Sequence, residues 1–571
     1  MHDVAQITHR RTVLQLLTGL GIGSSVFARC LADEVAQSGG AVDADAIARA
    51  EWIAGIELTE QQREETAAAV RRVIQQCQQV RGVPLDYDEL PALRFDPEAL
   101  ITDRSSLMQS PPWLHSATPT SESVPDLPAS LSAADPLTTD DLAFASIRQL
   151  GLLLRSRRVT SVALTNYFLD RLRQWDPVLH CVVQLTEDIA LRQAIQADRD
   201  FADGKDHGPL HGIPWGAKDL VSVPETITSW GAPQFATRQL TDTATVAARL
   251  QAAGAVLIAK LSLGALAMGD QWFGGQTRNP WNPEQGSSGS SAGPAAAAAA
   301  GLVPFAIGSE TLGSIISPAR RCGVVGLRPT FGRVSRAGCM SLSWSMDKIG
   351  PMGRAIDDCA LVFAAIHGTD AADPTTVDRW FDWPVAADLK SVRIGQVRNA
   401  AVTPVEQRAI EMLQEQDVQL IPIDLPRSPE IHATTLMLDV EAAAVFRPLT
   451  AANNLQGVNA WEQIFRRSHF VSAVDYLQAA RVRTKLMAQM QTVFEQVDLY
   501  IGGSDLAIAN LTGHPCLAVP VMVNYDETHP QPQCVTLTGR LHSEAGLLAI
   551  GRVLESAAGM QVRPVMEGQS K

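Results

Sequence analysis

TRNPWNPEQGSSGSSAGPAAAAAAGLVPFAIGSETLGSIISPARRCGVVGLRPTFGRVS, residues 277–335, is the stretch on which the reading of the fold turns. Taken alone, residues 286–301 could be a Gly/Ser linker running into an Ala-rich helix. A linker, however, is not followed by a tight strand–turn–helix unit. Residues 302–307 read as a buried strand, 308–314 as a glycine-punctuated turn, and Pro318-Ala319 as the start of a helical or irregular piece.

The pattern extends in both directions. Residues 142–175 carry a long apolar stripe at helical spacing, 181–185 is a short apolar strand, and 187–202 is an Ala-rich helix. His211–Asp219 is a turn feeding a short strand, and a helix over 243–253 passes through Gly254 into the strand 255–259. Similar units recur near 302–307, 392–397, 418–423 and 498–501. This helix–Gly–strand alternation predicts an α/β fold built on a large mixed, mostly parallel sheet flanked by helices. Upstream, residues 43–80 read as helix, with Thr59 and Gln62 in capping-box spacing. Residues 81–140 are rich in Pro, Ser and Thr without periodicity, which predicts an extended arm or linker. Residues 365–500 are largely helical, and Phe446, Trp461, Phe465 and Phe470 read there as core.

Composition removes whole classes of function. With 571 residues, a hydrophobic fraction of 46% and a formal charge of −14, the chain can bury a large core but lacks the clustered cations that phosphate binding demands. Nucleic acid is therefore not an expected partner. The eight cysteines form no CxxC pair, and no HExxH or paired His/carboxylate motif occurs, so neither metal nor cofactor is expected. Residues 1–32 combine Arg10-Arg11, a short glycine-broken apolar run and small residues near Ala28 and Ala32. They resemble a twin-arginine export signal, which predicts a periplasmic location; the alternative is an ordinary N-terminal helix on a cytoplasmic protein. The run is too short for stable membrane insertion.

Several motifs in one order carry a specific resemblance. Gly212-Ile-Pro-x-x-x-Lys218-Asp219, then Gly289-Ser290-Ser291 before the Ala-rich helix, then Gly308-Ser-Glu-Thr-x-Gly-Ser314, then Gly323-Val-Val-Gly-Leu-Arg-Pro-Thr330 resemble the amidase signature family. The resemblance covers residues 142–559. It implies a hydrolase of carboxylic amides with Ser314 as nucleophile, Ser290 as the bridging serine on a cis peptide, and Lys218 as base. A second activity within the same family is the A-type glutaminase component of a tRNA-dependent amidotransferase. A third possibility is a silent binding protein of the same fold.

The residue types suit that chemistry. A serine hydroxyl needs an adjacent base, and a buried lysine can supply one because burial penalises its charged form. Ser290 can relay the proton between Ser314 and Lys218, and Ser291 would hold Ser290 in place. Backbone N–H groups of Thr311, Leu312, Gly313 and Ser314 are positioned to receive an oxyanion. Three positions depart from the family pattern: Leu312 replaces a glycine, Pro294 replaces a non-proline residue, and Ile316 stands where arginine is common. Leu312 could narrow the acyl pocket, or strain the turn if its φ must be positive. The expected substrate is a small-molecule amide, and the sequence is silent on oligomeric state.

Overall fold

The computed structural model describes residues 42–83, 95–101, 104–117, 127–132, 135–502, 506–524, 530–560 and 562–564. The proposed export signal lies outside them. The chain divides into two compact units.

One unit joins the described residues up to 83 with Ser428–Leu455 and Glu462–Lys485. Its N-terminal part is two helices rather than one. Ala44–Ala54 is capped by Asp43, whose side chain accepts the Ala46 N–H, and it ends at Gly55 with φ 66°. Glu60–Arg81 starts from a complete capping box between Thr59 and Gln62, so two helix-end donors are satisfied reciprocally. The apolar stripe of this second helix is buried in two places. Val73, Cys77 and Val80 pack with Leu436, Met437 and Ala480, while Ala67 and Val70 pack with Ile47, Ile56 and Leu58.

The second unit holds the described residues from 95 to Arg427, Gln456–Trp461 and those from Leu486 onward. Among the described residues, eleven strands form one sheet. In chain order they are β1 (Val182–Leu185), β2 (Pro214–Lys218), β3 (Val256–Leu261), β4 (Phe305–Glu310), β5 (Val325–Arg328), β6 (Lys348–Gly353), β7 (Ile394–Val397), β8 (Leu420–Ile423), β9 (Leu499–Ile501), β10 (Cys516–Asn524) and β11 (Gln531–Gly539). Their spatial order is 8-7-9-11-10-5-6-4-2-3-1.

The α/β class and the large mixed sheet flanked by helices are as expected, but the sheet is not mostly parallel. Parallel pairing is confined to β4–β2–β3 and to β8–β7–β9. The middle, β9-β11-β10-β5-β6-β4, is antiparallel throughout, and so is the β1 edge. The helix–Gly–strand units account for the parallel ends. Among the central strands, β10 and β11 follow one another and pair directly, as antiparallel neighbours can.

The described part of the Pro-rich segment from residue 95 onward packs on this unit. Trp113 and Phe95 are buried, Leu114–Ser116 pairs antiparallel with Val385–Ala387, and buried Glu98 meets Arg379 and His542. Helix Ala292–Ala299 is buried along its whole length, which its small side chains allow by letting backbones approach closely. Pro294 costs nothing there. It sits in the first turn, where its missing N–H would have no intrahelical partner.

Candidate active site

Strands β2 and β4 are parallel neighbours, so their C-terminal ends set Lys218 and Ser309-Glu310 side by side. Facing them is the start of helix Ala292–Ala299, preceded by Ser290 and Ser291. The Gly289–Ser290 peptide is cis. Glycine is required at 289, because a Cβ there would lie 1.8 Å from the Gly269 carbonyl oxygen.

Lys218 is fully buried. Its Nζ lies 2.9 Å from Ser290 Oγ, 2.9 Å from Ser291 Oγ, 2.8 Å from Ser309 Oγ and 3.2 Å from the Ser309 carbonyl. Burial pushes the amine well below the usual lysine value, against the opposing pull of Asp347 and Glu310. The Ser291 hydroxyl is fixed by donating to the Ser309 carbonyl (3.0 Å) and accepting the Ser309 N–H (3.1 Å). Ser309 does not stand out in the sequence, although it lies inside the quoted Gly-Ser-Glu-Thr motif; strand alternation aims it at the lysine.

Ser314 is 9% exposed, in the turn after β4. Its carbonyl accepts the Ser291 N–H at 3.0 Å, which ties this turn to the serine loop. The expected hydrogen bond between the Ser314 and Ser290 hydroxyls is not formed among the described residues. Such contacts commonly tighten only when substrate is bound.

A buried carboxylate shapes the turn. Glu310 Oε2 accepts the N–H groups of Ile315 (2.8 Å) and Ile316 (3.0 Å), while Oε1 accepts from Arg328 (2.8 Å) and Asn510 (2.8 Å). Lys348 completes the group through Asn510 Oδ1 at 2.7 Å. Burial raises the Glu310 carboxyl, but Arg328 and Lys348 outweigh it and hold it at about 2. Glu310 thus claims the N–H groups of residues 315 and 316. The positive φ falls at Gly313 (91°) and not at Leu312, whose side chain is 36% exposed. Leu312 therefore neither strains the turn nor removes a donor. Ile316, at the position where arginine is common, is buried, and the cation facing Glu310 is Arg328.

Asp219, next to the lysine in sequence, serves another partner: Oδ1 lies 2.7 Å from Lys260 Nζ, and Oδ2 accepts from Ser229. His207 and His211 lie outside this cluster. With Asp200 they form a group that could hold a metal ion, their ligand atoms all within 4.8 Å of one another. The Asn510–Pro520 segment is a helix end leading into β10, and Asn510 acts by holding Glu310 and Lys348.

A buried lysine beside a cis Gly–Ser peptide is matched by the likeness of much of the chain to known proteins. The amidase family model matches residues 163–540. The chain belongs to the amidase signature family. Among curated relatives, the A-type component of the Roseiflexus castenholzii glutamyl-tRNA(Gln) amidotransferase is 31% identical over 466 residues, spanning 71% of this chain and 94% of that protein. Its Chloroflexus aurantiacus counterpart is 33% identical over 455 residues, covering 69% and 92%. Among solved structures, the native peptide amidase from Stenotrophomonas maltophilia superposes with a TM-score of 0.65 at 28% identity, covering 74% of this chain and 99% of that one. As an amidase signature enzyme, the chain is of the class that acts on carbon–nitrogen bonds. No helix among the described residues is long and apolar enough to cross a membrane.

Proposed function

We propose that the chain hydrolyses a carboxylic amide through an acyl-enzyme on Ser314, with Ser290 as proton relay and Lys218 as base. The observation that carries this is the buried Lys218 amine 2.9 Å from Ser290 Oγ, within a cluster whose Ser291 is bonded to the Ser314 backbone.

The contacts suit a neutral amine. Two hydrogens can go to Ser291 Oγ and Ser309 Oγ, leaving the lone pair to accept the Ser290 hydroxyl proton. As Ser314 Oγ attacks the amide carbon, its proton moves to Ser290 and that of Ser290 to Lys218. The carbonyl oxygen, now negative, takes N–H donors from Thr311, Leu312, Gly313 and Ser314. Collapse breaks the C–N bond while the relay, run backwards, protonates the leaving nitrogen. Water then releases the acid by the same path.

Two substrate assignments share this chemistry. The curated relatives favour the first, glutamine, with the chain working as the A-type component of an amidotransferase beside other components. A free-standing amidase is supported by the likeness to the peptide amidase and by the Arg10-Arg11 export motif, since a transfer-RNA-charging complex works in the cytosol. The test is labelling with a fluorophosphonate, with the modified peptide identified by mass spectrometry. Label on Ser314, lost in Ser314→Ala together with hydrolysis, is expected; label elsewhere or wild-type turnover in the variant overturns the assignment. Turnover of glutamine only in the presence of a partner protein would select the amidotransferase reading.

A further inference from the structure

The loops around Ser314 carry an arrangement that this chemistry leaves unused. Asp347 is a buried clamp between two of them. Its Oδ1 accepts the Thr311 hydroxyl at 2.6 Å, and its Oδ2 accepts the N–H groups of Leu342 (2.8 Å) and Ser343 (3.0 Å). The residues that directly follow these contacts are Leu312 and Trp344. Each therefore follows, by one residue or about 3.8 Å of chain, a residue that contacts the shared carboxylate, and Leu312 is two residues before the proposed nucleophile. Both turn large apolar side chains to solvent, Leu312 at 36% and Trp344 at 51% exposure. The Trp344 backbone is fixed independently of its side chain, for its carbonyl accepts from Arg336 at 2.7 Å.

Exposed large apolar groups beside a reactive centre mark a place where something apolar is covered. The charges nearby point the same way. Arg336 is committed to Asp373 and Thr375, and Asp347 to Thr311 and the 342–343 backbone, so the charged groups at the clamp already have partners. The inner side of the clamp offers little room: the cavity lined by Ser309, Thr311, Met340 and Leu342 measures about 10 Å³, space for about one water. A bulky substituent does not fit on that side.

We infer that Leu312 and Trp344 form an apolar rim beside Ser314 that selects amides bearing a hydrocarbon chain or ring over small or zwitterionic amides such as acetamide and glutamine. The inference rests on the assignment of Ser314 as nucleophile. It also gives Leu312, a departure from the family pattern, a role in specificity that leaves its backbone donor intact.

The experiment measures kcat/KM for two series on the full chain: straight-chain primary amides from acetamide to octanamide, and N-alkyl acetamides of the same lengths. In at least one series kcat/KM should rise about fourfold for each methylene that reaches the rim. In Trp344→Ala the rise should flatten to less than about twofold per methylene while acetamide turnover stays at the wild-type level. Leu312→Ala, read only as the slope within its own series, should flatten it further. A wild-type profile flat in both series, slopes unchanged in both variants, or glutamine as the preferred amide would overturn the inference. Fluorophosphonate labelling of Ser314 is followed in parallel. Normal labelling with flat slopes defeats the rim alone, whereas absent labelling in the wild type defeats the nucleophile assignment beneath it.

Discussion

Glu310→Gln removes one charge at the centre of the network behind the nucleophile turn, and its consequences can be worked from the contacts. The carboxylate is fully buried and satisfies four donors, two from the backbone of Ile315 and Ile316 and two from Arg328 and Asn510. A carboxamide has one oxygen to accept with, so two donors would face an NH2 group. Arg328, itself fully buried, would also keep its charge without its counter-ion. Removing one partner of a buried pair costs about 3–5 kcal/mol. The displacement of the carboxyl from 4.5 to about 2 corresponds to roughly 3 kcal/mol, in agreement. Because the folded pKa is depressed, this stability is present above about pH 4.5 and is lost as the pH falls through about 2. At neutral pH the variant should therefore unfold in urea as a protein destabilised by about 3 kcal/mol. Acylation should slow by about 10²–10³, the cost of misplacing an oxyanion donor. The assays are urea denaturation followed by tryptophan fluorescence, and single-turnover fluorophosphonate labelling. A variant with wild-type midpoint and wild-type labelling rate would refute the role given to Glu310.

Other perturbations follow from the same geometry. Asp347→Asn removes an anion that raises the Lys218 amine, so the rising limb of activity against pH should move to lower pH; a shift upward, or none, contradicts the placement. Gly313→Ala forces a Cβ to 3.0 Å from Ser317 Oγ at φ 91°, which should cost about 1–2 kcal/mol in urea unfolding and slow acylation, whereas Leu312→Ala should leave the unfolding midpoint unchanged. Replacing Arg10 and Arg11 with lysine should hold an uncleaved precursor in the cytoplasm, checked by fractionation; unchanged export counts against a twin-arginine signal.

How far the sequence carries the structure differs from place to place. The Thr59–Gln62 capping box and the helix Glu187–Ala202 are readable because their determinants lie within a few residues. Lys218, Ser290 and Ser314 stand out because ordered motifs flank them, and the structure brings Lys218 and Ser290 together directly. The antiparallel centre of the sheet is not readable, since strand direction there depends on pairing between strands far apart in the chain, as β5 with β10, which leaves no local periodicity. Nor is the joining of residues 42–83 to Ser428–Leu455 and Glu462–Lys485, because an apolar helix stripe announces burial without naming its partner. Glu310 carries a signal that can be found: a carboxylate inside a strand read as buried must find a cation, and Arg328 stands in the next quoted motif. Leu312 is ambiguous for a different reason, as φ is a property of the folded turn.

The central claim, that a neutral Lys218 draws the proton from Ser314 through Ser290, is tested most directly by the acylation rate against pH for the wild type and Lys218→Arg. Burial lowers the amine well below its ordinary value, so the wild-type rate should rise with pH through an ionisation clearly below 10.5 and then level off. A guanidinium stays protonated over that whole range, so Lys218→Arg should show no such limb and a rate lower by several orders of magnitude. A near-normal rate in the arginine variant, or a wild-type limb at the ordinary lysine value, would contradict the mechanism.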